Sequence, residues 1–189
     1  MKQFDLPEQR NTSALVLSYI VRPENNVFMM PKCMISEGET SSGTDILRSL
    51  VQLKPQVRVI LDVGAQIIDL TNQEAAQQWL RMVQPDDDLT QAAIYFDEND
   101  ILSVVDRFGC IELLQFSPFA KQMDKCLIFL DESHTQGTDL RLPQDYRAAV
   151  TLGNNLTKDR LVQGIHLSIK IPRFFYGANM KQHACECVN

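Results

Sequence analysis

The chain has 189 residues, is 44% hydrophobic and carries a formal net charge of −6, which fits one domain, or one and a bit, with a sizeable core. No basic excess is present to draw in a phosphate backbone, so nucleic-acid binding is not favoured. No apolar run approaches the roughly 18 residues of a membrane span, and MKQFDLPEQRNTS lacks a signal-peptide core, so an intracellular protein, cytoplasmic or nuclear, is expected.

Residues 14–21, ALVLSYIV, read as a strand that Arg22 and Pro23 end; residues 27–30 resume an extended segment before Pro31. Together they suggest a hairpin at a sheet edge. Residues 36–45, SEGETSSGTD, read as a loop, and Asp45 is placed to cap a helix through Leu47, Leu50, Val51 and Leu53 that Pro55 stops.

Residues 57–63, VRVILDV, form a buried-strand pattern. Thr71 or Asn72 caps a helix through Ala75, Ala76, Trp79 and Leu80, and Glu74 falls in its first turn. Core packing is the expected role of Trp79. Pro85, Asp86, Asp87 and Asp88 read as a solvated turn; no loop glycine or distal glutamate completes a calcium pattern there. Residues 91–96, QAAIYF, predict a third strand. Asp97 to Asp100 are expected to cap a helix over 101–107 that Gly109 ends. Ser117 and Pro118 mark another helix start, with Phe119 and Met123 in a short helix.

Residues 126–130, CLIFL, are continuously apolar, and the chain then turns polar through Asp131, Glu132, Ser133, His134, Thr135, Gln136, Gly137, Thr138 and Asp139. Nothing in the apolar half alternates, so both faces must be buried, as in a central parallel strand with helices on both sides. Ligands in open α/β sheets sit at the carboxyl ends of such strands.

Two chemical readings fit that polar end. Asp131-Glu132-Ser133-His134 has the D-E-x-H form in which one carboxylate holds magnesium, usually through water, and its neighbour polarises the attacking water. Residues 135–140, TQGTDL, alternatively form a mechanical coupling loop. The plain structural reading is a loop in which Asp131 or Ser133 caps backbone amides. Residues 147–152, RAAVTL, predict a further buried strand, and Thr157 caps TKDRLVQ. Strand and helix patterns alternate, which predicts an α/β fold: a mostly parallel sheet flanked by helices, with the N-terminal hairpin at its edge.

The five cysteines are read as reduced. His183, Cys185 and Cys187 offer three soft ligands on a tail without a partner pair, so no metal site is expected. A thiol protease needs a histidine within hydrogen-bond reach of its cysteine. Cys126 and His134 are separated by a strand rising roughly 3.3 Å per residue, which puts them on the order of 20 Å apart. Cys110 with His134 stays open as a candidate catalytic pair, although Phe108 and Ile111 beside Cys110 favour core packing.

The blocks RVILDVGAQI, NQEAAQQWL, AAIYFDEND and CLIFLDESHTQGTDLRLPQDYRAAVTLGNNLTKDRLVQ resemble a family of very large fungal proteins identified as ubiquitinyl hydrolases, thiol-dependent deubiquitinases. The resemblance covers roughly residues 14–163. It implies a fragment of a multidomain hydrolase that acts on ubiquitin or ubiquitin chains, with its nucleophile outside this chain. The last block is also similar to the second, RecA-like motor domain of SecA and helicase ATPases. Gly137, Thr138 and Asp139 match that domain's G-T-D loop. The resemblance gives Asp131, Glu132, His134, Gly137, Thr138 and Asp139 as nucleotide-binding candidates, and ATP with magnesium as cofactors of a complete parent protein.

The sequence departs from that pattern at Gln136, where an arginine is expected, and after Gln163, where an arginine-bearing helix is expected. A G-x-x-x-x-G-K-[ST] phosphate loop is absent; the resemblance puts it in an upstream motor domain, a necessary partner. The isolated chain is therefore expected to need no cofactor and to be catalytically silent. The implied organisation is an extension over 1–56, a RecA-like domain over 57–163, and a divergent tail over 164–189. That tail is expected to pack poorly and leave Phe174, Phe175 and Tyr176 partly exposed.

Overall fold

Continuous apolar runs build the centre of the structure. In a computed structural model, residues 42–83, 90–135, 140, 142–143 and 146–152 are described, together with the strand backbone at 26–29 and 173–178. The strands are β1 (Asn26–Met29), β2 (Val59–Leu61), β3 (Ala92–Phe96), β4 (Leu102–Asp106), β5 (Ile111–Leu113), β6 (Cys126–Leu130), β7 (Arg147–Leu152) and β8 (Arg173–Ala178). The helices are α1 (Gly43–Val51) and α2 (Asn72–Met82).

The strands form one mixed eight-stranded sheet in the order β1-β8-β7-β2-β6-β3-β4-β5. The four buried strands expected from the sequence lie side by side: β2 pairs in parallel with β7 and β6, and β6 in parallel with β3. The β3–β4 and β4–β5 pairs are antiparallel. β1 lies at an edge, paired in parallel with β8; the first arm of the expected N-terminal hairpin, at 14–21, lies outside the described residues.

Alternate residues of each strand point to opposite faces, so the sheet has two apolar layers. One contains Leu127 and Phe129 of β6, Ile60 of β2 and Tyr95 of β3, packed on Leu47 of α1 and Trp79 of α2. Trp79 is completely buried, as its helical spacing predicts. The other layer contains Ile128, Leu130, Val59 and Ile94, covered by Leu114, Phe119, Met123, Leu140 and Tyr146. Both described α-helices thus lie on one face, and short 3₁₀ turns and loops cover the other, where a helical layer was expected.

Helix α2 starts as its sequence predicts. Thr71 accepts from the Glu74 amide, Glu74 accepts from the Thr71 amide, and the capping box is complete. Helix α1 starts three residues before the expected cap: Ser42, not Asp45, accepts from the Thr44 amide at 3.2 Å. Asp45 instead pairs with Arg48 at 2.5 Å. Gly43 is needed at the first turn, because its amide donates to Asp69 Oδ1 at 2.8 Å and a Cβ there would lie 2.7 Å from that oxygen.

The helix expected over 101–107 is strand β4. Asp97 closes a hairpin turn instead of capping a helix: its Oδ1 accepts from the Asn99 and Ile101 amides, each at 2.9 Å. The same Asx chemistry serves turns and helix starts, and the β-branched Val104 and Val105 pair with Ile94 and Ala93 of β3. Asp106 repeats the device at the next turn, accepting from the Phe108 and Cys110 amides, with Gly109 at φ 85°. The expected helix at Phe119 and Met123 is a run of 3₁₀ turns, with Ser117 capping the Phe119 amide.

Within the tail, residues 173–178 form β8 between β1 and β7, and Phe174, Phe175 and Tyr176 register with Ala148, Ala149 and Val150.

Candidate functional site at the carboxyl ends of the central strands

Three strands deliver polar groups to one end of the sheet. Leu61 of β2 registers with Leu130 of β6 and Val150 of β7. The next residues, Asp62, Asp131 and Thr151, therefore come side by side. The Asp62 amide donates to the Leu130 carbonyl at 2.8 Å.

Asp62 is 3% exposed. Its Oδ1 accepts from the Gln66 amide at 2.9 Å and from Thr151 Oγ1 at 2.5 Å; its Oδ2 accepts from the Ile67 amide at 2.9 Å. Thr151 Oγ1 also accepts from the Gly64 amide at 3.2 Å. Burial raises the Asp62 carboxyl above its usual range; the bonds from Thr151, Gln66 and Ile67 oppose that, and the charge of Asp131 adds to it.

Asp131 begins the 3₁₀ turn Glu132–His134 and caps it, accepting from the His134 amide at 3.1 Å. That part of the plain structural reading holds. The same oxygen, Oδ1, lies 2.5 Å from His134 Nδ1, and Oδ2 accepts from Asn72 Nδ2 at 3.1 Å. Asn72 Nδ2 also donates to the Phe96 carbonyl at 3.0 Å. The His134 ring stacks on Phe96, with centroids 4.0 Å apart and planes 8° from parallel. Its Nε2 lies 3.1 Å from Asp100 Oδ1, on the β3–β4 turn. Thr135 Oγ1 donates to the Glu132 carbonyl at 3.0 Å and closes the turn.

Of the sequence-derived candidates, Asp131, Glu132 and His134 thus sit together at the carboxyl end of β6. Gly137, Thr138 and Asp139 lie outside the described residues, as do His183, Cys185 and Cys187. Sequence reading missed Asp62, Asn72, Phe96, Asp100 and Thr151. Only the strand order brings them to this end.

The candidate pair Cys110 and His134 is not formed. His134 stacks on Phe96, at the carboxyl end of β3. Cys110 follows Asp106, which registers with Ala92 at the other end of β3. Four residue steps of roughly 3.3 Å put the two ends about 13 Å apart. Nor is Cys110 a core residue as expected: it is exposed, and Phe108 beside it is 97% exposed. Cys126 is buried at the amino end of β6, its thiol pushed up to about 12 chiefly by burial, with Asp124 adding and Arg58 opposing. A thiol held protonated in this way is a poor nucleophile.

The fit to a magnesium nucleotide is partial. Asp131 stands at the expected place, but each of its oxygens already has a partner. Among the described residues, no three His, Cys, Asp or Glu side chains converge as a metal set. No helix among them is long and apolar enough to cross a membrane. No family model, curated protein or solved structure matches the chain.

Proposed function

We propose that this chain is a segment of a large ubiquitinyl hydrolase-like protein, to which it contributes a helicase-like, RecA-type half-site for nucleotide. The supporting observation is the alignment of Asp62, Asp131 and Thr151 at the carboxyl end of the central strands, with His134 held beside Asp131. Ligands in open α/β sheets bind at such ends. Phosphoryl-transfer sites draw much of their effect from positioning and electrostatics. Asp131, held at Oδ2 by Asn72, is a positioned acid of that kind.

In this reading the chain's own residues hold and orient. Asp131 presents its carboxylate toward the partner half, and Asp62 with Thr151 stiffens the loop beneath it. When bound, magnesium ATP supplies the phosphoryl group and its countercharge; the phosphate loop comes from an upstream motor domain. Ubiquitin or its chains are substrates of the parent, and the thiol nucleophile belongs to residues beyond this chain. The buried, protonated Cys126 thiol and the separation of Cys110 from His134 favour that division. In isolation the segment is a non-catalytic scaffold.

A ubiquitin probe with a thiol-reactive C-terminus tests the division. It is expected to leave the 189-residue chain unlabelled and to label the full-length parent. Covalent capture at Cys110 or Cys126 would overturn it.

A further inference from the structure

Asp100 combines two properties. Its backbone is left-handed, at φ 59°, a conformation that glycine adopts without cost and aspartate less readily. Its side chain is 84% exposed, yet it reaches His134 Nε2 at 3.1 Å. His134 is 15% exposed; the contacts that hold it include Asp131 on Nδ1, Asp100 on Nε2, and the Phe96 ring across its face. An imidazolium donates to both carboxylates at once; a neutral ring donates to one.

The contacts form a chain through space. The β3–β4 turn holds Asp100, Asp100 meets His134, and His134 occupies Asp131 Oδ1. Asn72 occupies Asp131 Oδ2. The Asp131 carboxylate is thus engaged from both sides, by His134 of its own turn and by Asn72 of α2.

We propose that the Asp100–His134–Asp131 relay is an autoinhibitory latch, which couples the β3–β4 turn to the turn after β6 and keeps Asp131 engaged until Asp100 releases His134. The coupling stands on geometry alone; its inhibitory meaning rests on reading the carboxyl end of β6 as the nucleotide half-site. Once the His134 ring swings out, Asp131 Oδ1 loses its side-chain partner and keeps the His134 amide. The exposed end of the relay is where another domain would act on it.

Asp100→Gly separates the latch from a merely structural turn, because the two predict opposite signs. Glycine relaxes the left-handed backbone, so a turn valued only for its shape becomes firmer. A latch loses its far anchor and loosens. Amide exchange on the 189-residue chain is therefore measured at Glu132–His134 and Thr135. The latch predicts exchange roughly threefold to tenfold faster in Asp100→Gly and in Asp100→Ala than in wild type. Unchanged or slower exchange in Asp100→Gly would overturn it. In the full-length parent, Asp100→Ala is then expected to tighten magnesium ATP binding at least about threefold. Faster exchange without tighter binding would retain the mechanical coupling, remove the inhibitory role and count against the nucleotide reading.

Discussion

Thr151 and Asp62 meet at 2.5 Å, across the pair of strands β7 and β2. The threonine hydroxyl donates to the carboxylate and accepts from the Gly64 amide, so one side chain serves a buried acid and a loop backbone together. Thr151→Val keeps the shape and strips both contacts. It is expected to cost about 1–3 kcal/mol, since two buried polar groups lose a partner. Urea unfolding of the two proteins measures the difference.

The raised Asp62 pKa gives that carboxyl a defined pH signature. Its folded value lies above its unfolded one, chiefly through burial. The folded state therefore binds the proton more tightly, and the group's stabilisation is complete below the unfolded value. It is lost as pH rises through the raised folded value. Asp62→Asn removes this titration. Unfolding free energies across the acid range should fall less steeply with rising pH in the variant, and a slope identical to wild type would contradict the assignment.

Gly43 is held by space rather than by backbone conformation. A methyl group there meets Asp69 Oδ1 and Ile67 Cγ2 at 2.7 and 2.8 Å, so Gly43→Ala must push the α1 start off the Asp69 loop. A loss of about 1–3 kcal/mol is expected, although alanine is the better helix former. Thermal melts decide the sign.

The two described cysteines should differ sharply in native labelling. Cys110 is exposed, and a maleimide should reach it in the folded chain. The Cys126 thiol is buried and held up to about 12, so it should react only on unfolding. Mass spectrometry after timed labelling separates the two sites.

The central strands were legible because their physics is local. Cys126–Leu130 is an apolar run ended by polar chemistry, Arg147–Leu152 has an apolar centre at Ala148–Val150, and both strands begin and stop where the sequence pattern places them. Strand β4 was not legible. Asp97 accepts amides two and four residues on, which a sequence reads equally as a helix start, and Val104 and Val105 declare a strand only once β3 lies beside them. The D-E-x-H segment announced where the site is. Its contents depend on strand order: Asn72 is 59 residues from Asp131, and Thr151 is 89 from Asp62. No local pattern encodes such pairs.

Asp131→Asn in the proposed full-length parent tests the central claim most directly. Asparagine keeps the size and one acceptor oxygen but removes the negative charge that the half-site is proposed to contribute. The reading predicts that ATP turnover falls by roughly 100-fold or more. ATP turnover equal to wild type in the Asp131→Asn parent would contradict the assignment of this sheet edge to nucleotide.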